Sequence, residues 1–340
     1  MSPELILNRY GITQAQIQPV GSGHIHYTYK ATARDQQFIL QRVNKNVFTQ
    51  PEIIAANNRI AFAYLKQHYP DYLFPQTLLN SEGQELTYDD ERFPWRLYPF
   101  IDNTITVDQV STEEQAFEAA AGFARLSRNL DGVNVSLFNP TLDRFHDLSH
   151  RYHQFEEALA NTSTVATESA KEAVLAAQSF HHLVTEYRDI LAGHELKMRV
   201  VHNDTKINNI LFDSVTGKSV CVIDLDTLMP GYFIYDLGDM VRTFVSPVSE
   251  EERDLTKIEF RKNIYQALLN GYMSEMDSVL SPSEKKYIPF AGKMMTYIMA
   301  LRFLADYLRG NTYYHITYPD QNLVRATNQL HLLRLMETTL

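Results

Sequence analysis

Hydrophobic and polar positions divide the chain into a strand-rich first part and a helical remainder. Residues 21–33 and 36–43 carry the β-branched, aromatic and aliphatic side chains of strands, and the ARDQ segment between them predicts a hairpin turn. Apolar residues recur at helical spacing over residues 53–68, whereas residues 74–79 and 83–101 predict further strands. The first hundred residues are therefore expected to form a sheet with one helix.

The pattern becomes helical after Asp102. Residues 112–130 begin with a Ser-Thr cap followed by glutamates, as is typical of a helix N-terminus. The whole chain predicts a bilobal α+β fold, with an N-terminal lobe at 1–98, a hinge at 99–103 and a helical C-terminal lobe at 104–340. Further helices are predicted over 146–193 with a break near 161–169, over 284–309 and over 321–337, and short strands are predicted within 197–224.

Composition narrows the classes of partner. The net charge of −10, without a basic cluster, argues against nucleic acid, because phosphate backbones bind clustered Lys and Arg. The first residues lack the pattern of a signal peptide, and no apolar stretch reaches membrane-spanning length. The single cysteine, Cys221, cannot form an internal disulfide. We therefore expect a cytoplasmic protein that binds neither nucleic acid nor a membrane.

The strongest chemical motif is VVHNDTKINNILFD at 200–213, followed by SVCVID. Asp204 precedes Asn209 by five residues, which is the interval between the aspartate and the asparagine of the kinase catalytic loop. Asn209 opens an apolar strand, and a turn containing Gly217 sends the chain back along a second strand that ends at Asp224. The hairpin is therefore expected to bring Asp224 to the level of Asn209.

Phosphoryl transfer requires side chains of these types. A carboxylate must orient the attacking hydroxyl and accept its proton, and oxygen ligands must hold Mg²⁺ against the phosphates of ATP. Asp204 suits the role of the base, whereas Asn209 and Asp224 suit the roles of metal ligands. Asp and Asn also favour turns for local hydrogen bonding, but the spacing and the hairpin together favour the catalytic interpretation.

These motifs resemble the aminoglycoside phosphotransferase/choline kinase superfamily, whose catalytic stretch reads H-x-D-x-x-x-x-N-I-L followed by I-D. They stand here as HNDTKINNIL and VIDLD, and YDLGD matches an aspartate run further along. The N-acetylhexosamine 1-kinase branch is similar in FILQ, WRLYPF, IDLDTLMPG, RFLADYLRG and YPDQNLVR. The resemblance implies a protein-kinase-like fold and transfer of the ATP γ-phosphoryl to the anomeric hydroxyl of an N-acetylhexosamine. His202, Asp236 and Asp239 are then expected to support the catalytic loop.

The nucleotide site is expected from three segments. Glycines in the loop GSGHI let backbone N–H groups approach phosphates, although the loop alone equally fits a hairpin turn. The strand FILQ places Gln41 where protein kinases carry a lysine, and the following helix lacks the glutamate that pairs with this lysine. The backbone at the end of WRLYPFI is expected to meet adenine. The predicted nucleotide-binding residues are Gly21, Ser22, Gly23, Gln41, Tyr98, Pro99, Phe100 and Ile101.

The acceptor pocket is expected in the C-terminal lobe. Arg302 and Asp306 lie four residues apart on one helical face, and spacing alone predicts an ion pair between them. The resemblance implies instead that both face a sugar, together with Tyr313 and with His24 of the N-terminal loop. The segment 289–340 holds five Lys or Arg against three Asp or Glu, which favours a small neutral sugar over a polycation.

Two alternatives remain open from the sequence. The first is a kinase of another small alcohol, such as choline, methylthioribose or an aminoglycoside. The second is a non-catalytic protein that binds a nucleotide or a sugar, because Gln41 replaces the lysine and Asn57, Asn58 and Arg59 stand where its glutamate partner is usual. The sequence does not distinguish GlcNAc from GalNAc, and it does not indicate an oligomeric state.

Overall fold

The computed structural model describes residues 2–20 and 25–340. The predicted phosphate-loop residues Gly21, Ser22 and Gly23, and the predicted acceptor residue His24, lie outside the described residues. The described chain forms a small antiparallel sheet in the N-terminal lobe and a larger, mainly helical C-terminal lobe. The predicted α+β bilobal fold is thus confirmed.

The N-terminal lobe is built on an antiparallel sheet of five strands in the order β1-β2-β3-β5-β4. The predicted hairpin is present, because β2 and β3 pair from Tyr27↔Arg42 to Ala33↔Gln36. The strand pair β3 and β5 sets Gln41 directly opposite Arg96. The strands are β1 Gln16–Pro19, β2 Tyr27–Ala33, β3 Gln36–Arg42, β4 Thr87–Tyr88 and β5 Pro94–Pro99.

The two faces of this sheet have different surroundings, because side chains alternate along each strand. Leu40, Trp95 and Leu97 point to a small apolar core that helix α1 (Pro3–Asn8) closes with Ile6 and Leu7. Gln41, which follows Leu40, and Arg96, which lies between Trp95 and Leu97, point to the opposite face. There Arg96 forms an ion pair with Asp226 of the C-terminal lobe. The polar face of the sheet therefore borders the cleft between the lobes.

The strand predicted over residues 74–79 is wrong, because this segment has no regular secondary structure. Leu78 donates one backbone hydrogen bond to the carbonyl of Leu97 in β5, over 2.7 Å, and no ladder continues from it. Pro75 has no N–H and so cannot contribute a donor to a ladder. Within residues 83–101 the strands are β4 and β5, and Asp89 accepts the N–H groups of Glu91 and Phe93 and thereby closes the turn between them.

The C-terminal lobe packs its helices around α11, of which most residues are buried. Helix α8 approaches α11 closely at Gly238, where a Cβ would collide with the carbonyl oxygen of Ala291. The helices after α1 are α2 Pro51–His68 in the N-terminal lobe, then α3 Glu113–Asn129, α4 Leu148–Asn161, α5 Thr164–Ser169, α6 Lys171–Ser179, α7 His182–Ala192, α8 Phe233–Phe244, α9 Lys262–Met276, α10 Pro282–Lys285, α11 Ile288–Leu308 and α12 Gln321–Thr339.

Two small sheets of the C-terminal lobe position the catalytic motif. Strand β7 (Arg199–Val201) pairs with β10 (Met229–Gly231), while β6 (Thr104–Ile105), β8 (Ile210–Asp213) and β9 (Ser219–Val222) form the other sheet. The catalytic motif at 200–213 begins in β7, continues through a 3-10 turn at Ile207–Asn209, and ends in β8, the first strand of the β8–β9 hairpin. Among the described residues, no helix is long and apolar enough to cross a membrane.

Candidate active site

The loop after β7 brings Asp204 and Asn209 into direct contact. The Nδ2 of Asn209 donates to the carboxylate Oδ2 of Asp204 over 3.1 Å and to the backbone carbonyl of Asp204 over 2.9 Å. The second carboxylate oxygen, Oδ1, lies 2.9 Å from the Nζ of Lys206. The carboxylate is thus held from two sides, and the amide oxygen of Asn209 has no hydrogen-bond donor among the described residues.

His202 links the catalytic loop to the strand that precedes Asp224. Its Nε2 donates to the carbonyl of Ile223 over 2.9 Å, and its Nδ1 accepts the N–H of Asp204 over 3.2 Å. The edge of the Phe123 ring packs against it, with ring centroids 5.3 Å apart. A buried imidazole that carries its proton on Nε2 therefore fixes Asp204 relative to the end of the hairpin.

Asp236 holds the same loop from the first turn of α8. Its carboxylate accepts the backbone N–H of His202 over 3.0 Å and that of Asn203 over 2.7 Å. Asn203 has a positive φ of 65°, a left-handed conformation that asparagine adopts more readily than most residues, and the bonds to Asp236 hold the loop in it. Asp239, one turn further along α8, binds Arg242 over 2.8 Å instead and has no hydrogen bond to the loop.

The hairpin brings Asp224 to the same edge as Asn209. Strands β8 and β9 pair Ile210 with Val222, and the N–H of Ile223 donates to the carbonyl of Asn209 over 2.9 Å. The expected level of Asp224 beside Asn209 is thereby confirmed. Asp224 itself has a left-handed backbone, with φ 57° and ψ 58°. Such strain in a residue with a side chain is concentrated at functional sites.

Asp224 belongs to a cluster of side chains of the types that bind metal ions. His26, Asp224 and Asp226 each offer one possible ligand atom, and these three atoms lie within 4.8 Å of one another. Asp226 is already engaged, because His26 Nε2 binds its Oδ2 over 2.9 Å and Arg96 Nη1 binds its Oδ1 over 2.5 Å. The carboxylate of Asp224 is exposed and has no such ion pair among the described residues, so it is the more available oxygen ligand.

The two central carboxylates differ in their affinity for protons. Burial opposes ionisation of Asp204, but the charge and hydrogen bond of Lys206, together with further positive charge that includes Arg242, lower the pKa of Asp204 below the usual value. Although Asp224 is exposed to the cleft, the protein atoms crowded around it, and next the negative charge of Asp226, raise the pKa of Asp224 above the usual value. Asp204 is accordingly ionised at neutral pH. A cation beside Asp224 would relieve the repulsion that raises its pKa.

The segment expected to meet adenine is partly occupied by bonds within the chain. The N–H of Phe100 donates to the carbonyl of Gln37 over 3.0 Å, and the carbonyl of Ile101 accepts the hydroxyl of Thr104 over 2.7 Å. The carbonyl of Phe100 and the N–H of Ile101 have no partner within the described residues. Of the four residues Tyr98, Pro99, Phe100 and Ile101, these two groups therefore offer an acceptor and a donor for a base edge.

Gln41 faces the cleft as expected, but both ends of its amide are engaged. Its Oε1 accepts the Nε and Nη2 of Arg96 over 3.0 and 2.7 Å, and its Nε2 donates to the hydroxyl of Thr28 over 3.2 Å. The predicted contact of Gln41 with phosphate stays a prediction, and the second N–H of its Nε2 has no hydrogen bond among the described residues. Its neighbour Arg42 points to the other face, because side chains alternate along a strand, and the Nε of Arg42 lies 3.4 Å from Oδ2 of Asp89.

A cavity of about 240 Å³ lies beside the end of α11. Arg302 sits among aromatic rings there, 5.0 Å from the centroid of Phe145 and 5.5 Å from that of Tyr314. His146, which follows Phe145 in the sequence, forms a hydrogen bond with the backbone carbonyl of Asn203 over 2.8 Å. This bond connects the cavity to the catalytic loop. The lining residues are Arg151, Gln154, Arg302, Ala305, Asp306, Arg309, Thr312, Tyr313 and Tyr314.

Asp306 does not form the ion pair with Arg302 that the spacing predicts. Its Oδ1 accepts the N–H groups of Thr312 and Tyr313, and its Oδ2 accepts those of Tyr314 and the side chain of Asn322, all between 2.8 and 2.9 Å. The carboxylate thus shapes the loop that carries Tyr313 into the cavity. Arg302 has no carboxylate partner among the described residues and is left with its guanidinium beside the cavity.

The fold and this constellation agree with a comparison against known families. The phosphotransferase enzyme family matches residues 16–269, a span that contains the catalytic loop, the hairpin and the hinge. The chain belongs to the phosphotransferase enzyme family. The predicted superfamily is thereby confirmed for this phosphotransferase, whereas its closeness to the N-acetylhexosamine 1-kinase branch remains a proposal.

Solved structures share the fold over nearly the whole of this phosphotransferase. A microcompartment-associated aminopropanol kinase aligns at a TM-score of 0.67 and 16% identity, over 99% of this chain and 97% of that chain. Amicoumacin kinase hAmiN, in complex with AMP-PNP and Ca²⁺, aligns at 0.62 and 15%, over 100% and 94%. A choline/ethanolamine kinase family protein from Mesorhizobium loti aligns at 0.56 and 16%, over 98% and 95%. The TM-scores establish a shared fold, and at identities of 15 to 16% the similarity shows the fold alone.

Sequence reasoning missed several residues that the structure brings to the site. Lys206 stands two residues after Asp204 within the quoted motif, and a cation so close to the proposed base was the available signal. Arg96 lies between Trp95 and Leu97, whose apolar character already implied that Arg96 faces the cleft. The engagement of Asp226 by His26 and Arg96 joins residues far apart in the chain, and no local pattern indicates it.

Proposed function

We propose that this phosphotransferase is an ATP- and Mg²⁺-dependent small-molecule kinase, with Asp204 as the catalytic base. The contact between Asp204 and Asn209, the hairpin that carries Asp224, and membership of the family support this proposal. The amide oxygen of Asn209 and the carboxylate of Asp224 would hold the cation, since both are hard oxygen ligands without a competing partner among the described residues. When bound, Mg²⁺ neutralises charge on the phosphates.

Asp204 carries the proton transfer in this proposal. Its carboxylate accepts a hydrogen bond from the attacking hydroxyl, and as the new bond from that oxygen to the γ-phosphorus forms, the proton passes to Asp204. The bond between the γ-phosphorus and the β,γ-bridging oxygen breaks, and its electron pair leaves with ADP. Lys206 and Asn209 each hold one carboxylate oxygen, so Asp204 is oriented before the acceptor arrives.

The charge of the cavity supports a neutral acceptor. Arg151, Arg302 and Arg309 all line it. Among the described lining residues, Asp306 has the only carboxylate, and that carboxylate accepts backbone N–H groups and the side chain of Asn322. Cationic acceptors such as choline, ethanolamine or an aminoglycoside would meet the guanidinium of Arg302, which has no carboxylate partner among the described residues. The aromatic rings that could form a cage for a quaternary ammonium already surround Arg302.

An N-acetylhexosamine suits this cavity. Hydroxyl and acetamido oxygens can accept from the Arg302 guanidinium, and the exposed Tyr313 ring offers a face on which a pyranose can stack. A volume of about 240 Å³ is at the small end of ligand pockets and fits one sugar ring better than a large antibiotic. The resemblance of RFLADYLRG and YPDQNLVR to the N-acetylhexosamine 1-kinase branch supports the anomeric hydroxyl as the position of transfer.

An acceptor panel tests this function. The full chain is incubated with Mg-ATP and GlcNAc, GalNAc, glucose, choline, ethanolamine, aminopropanol, methylthioribose or kanamycin, and ADP release is followed. The 1-deoxy analogue of the active sugar serves as a matched control, because it lacks only the anomeric hydroxyl. Asp204→Asn measures the background hydrolysis of ATP. We expect ADP release with GlcNAc or GalNAc, none with the 1-deoxy sugar, and a sugar 1-phosphate by phosphorus NMR.

The other outcomes separate the alternatives. ADP release only with choline, ethanolamine, aminopropanol, methylthioribose or kanamycin would replace the sugar with another acceptor while keeping the kinase assignment. Phosphorylation of the 1-deoxy sugar would move the transfer to another hydroxyl. Binding of ATP without ADP release for any acceptor would favour a non-catalytic nucleotide-binding protein.

A further inference from the structure

Arg96 is a buried cation on the strand next to the one where a protein kinase carries its lysine. Gln41 of β3 and Arg96 of β5 are directly opposite in register, and both face the cleft. The Arg96 side chain is 4% exposed, and its Nε and Nη2 both donate to the single oxygen Oε1 of Gln41. Because Gln41 is itself held by the hydroxyl of Thr28, the guanidinium has a fixed orientation.

The far end of the guanidinium reaches the segment that follows the proposed metal ligand. Arg96 Nη1 lies 2.5 Å from Oδ1 of Asp226, which stands two residues after Asp224. The other oxygen of Asp226 binds His26 over 2.9 Å. Arg96 therefore connects the sheet of the N-terminal lobe to the same short segment that presents Asp224.

Arg96 retains free donors in this arrangement. A guanidinium has five N–H bonds, and the hydrogen bonds to Gln41 use two of them, while Nη1 forms an ion pair with Asp226. One N–H on Nη2 and at least one on Nη1 remain without a hydrogen bond among the described residues. Such a pair suits two oxygens of a phosphate group, which arginine binds bidentately.

Helix α2 does not supply the usual partner of a kinase lysine. Asn57 donates from its Nδ2 to the carbonyls of Asn139 and Leu228 over 2.8 and 3.0 Å, and its Oδ1 accepts the N–H of Asn139 over 3.1 Å. A neutral amide thus anchors α2 to the C-terminal lobe. In protein kinases a lysine on the third strand pairs with a glutamate of the helix. Here Arg96 and Asp226 form the corresponding ion pair between different elements.

We propose that Arg96 binds the phosphates of the nucleotide in place of the missing strand lysine, with Gln41 and Asp226 as its positioning residues. The geometry that carries the proposal is a buried, oriented guanidinium beside the segment of Asp224, with N–H groups on Nη1 and Nη2 that make no hydrogen bond among the described residues. The inference rests on the proposed use of ATP but not on the identity of the acceptor. It also removes the main reason for regarding the chain as non-catalytic.

A double-mutant cycle with Asp226 tests the inference in the full chain. Wild type, Arg96→Gln, Asp226→Asn and the double variant are titrated calorimetrically with adenosine and with Mg-AMP-PNP. Adenosine lacks phosphates and reports whether the base site is intact. We expect Arg96→Gln to weaken AMP-PNP binding by about 10- to 100-fold in both backgrounds, the size of a charge-assisted hydrogen-bond pair, while adenosine affinity changes less than about twofold.

Two results would overturn the inference. If Arg96→Gln has no effect on AMP-PNP in the Asp226→Asn background, Arg96 serves only to neutralise Asp226. If adenosine and AMP-PNP affinities fall by the same factor, Arg96 has a packing role. Arg42→Gln is the matched control, because Arg42 is next to Gln41 but on the other face of β3, and it should leave both affinities unchanged. No acceptor takes part, so failure here is distinct from failure of the acceptor panel.

Discussion

The Nδ2 of Asn209 lies 3.1 Å from Oδ2 of Asp204, and this contact determines which atom of the amide is left over. With Nδ2 donating to Asp204 twice, the amide oxygen is the free end. The same hydrogen bonds hold the proposed base in place. Asn209 therefore couples the orientation of Asp204 to the position of a metal ligand.

Replacing Asn209 tests this coupling. Asn209→Ala removes both the amide oxygen and the donor to Asp204, so we expect kcat to fall by about 10²-fold or more and the activating Mg²⁺ concentration to rise. The measurement is turnover against total Mg²⁺ at saturating ATP. Asp213→Asn, at the far end of the same hairpin, is the control and should leave the Mg²⁺ curve in place. An unchanged Mg²⁺ curve for Asn209→Ala would remove Asn209 from the metal site.

Replacing Asp204 tests the role of the base. Asp204→Asn retains the shape of the side chain but cannot accept the proton of the attacking hydroxyl, so we expect kcat to fall by about 10³-fold or more. AMP-PNP affinity should change little, because no nucleotide contact is assigned to this side chain. Pre-steady-state and steady-state turnover should fall together. Near-normal turnover of this variant would contradict the assignment of Asp204.

Asp306 distinguishes a loop-shaping carboxylate from a sugar ligand. Because both oxygens accept N–H groups, Asp306→Asn turns an amide NH₂ toward those donors, and we expect a loss of about 2 kcal/mol in the free energy of unfolding. The acceptor KM should rise as well, since Tyr313 loses its support. Urea unfolding and acceptor kinetics measure the two effects. A rise in KM at unchanged stability would instead indicate direct contact of Asp306 with the sugar.

The part of the site that the sequence predicted is the part formed by short-range spacing. The interval from Asp204 to Asn209 and the hairpin to Asp224 depend on a few consecutive residues whose turn and strand preferences are strong. The alternation along β3 likewise placed Gln41 and Arg42 on opposite faces. Local rules of this kind hold because no distant contact competes with them.

The contacts that the sequence did not reveal join distant segments. The pairing of Arg96 with Asp226 requires the two lobes to meet, and neither strand period nor motif spacing specifies that distance. The spacing of Arg302 and Asp306 predicted an ion pair, but the chain after α11 folds back and its N–H groups take the carboxylate. Backbone donors that would otherwise be unsatisfied outweigh a helical ion pair worth only tenths of a kcal/mol.

His146 provides a test of how the catalytic loop is held as pH changes. Burial lowers the pKa of His146 to about 4, and the guanidinium groups of Arg302 and Arg151 act in the same direction, against the carbonyl of Asn203 and the carboxylate of Asp239. The neutral imidazole donates from Nε2 to that carbonyl. In the unfolded chain the imidazole titrates near its usual pKa of 6.5.

Between these two pKa values the unfolded chain binds the proton and the folded chain does not, so stability must fall as the pH is lowered through 6.5 toward 4. His146→Gln keeps a donor for the Asn203 carbonyl but does not titrate. We therefore expect the wild type to lose about 2 kcal/mol more than this variant between about pH 7 and pH 5, in urea unfolding at both values. His331→Gln is the control, because His331 lies on α12, is partly exposed and makes no hydrogen bond to the catalytic loop among the described residues. Equal losses in the wild type and His146→Gln would mean that His146 is protonated in the folded chain.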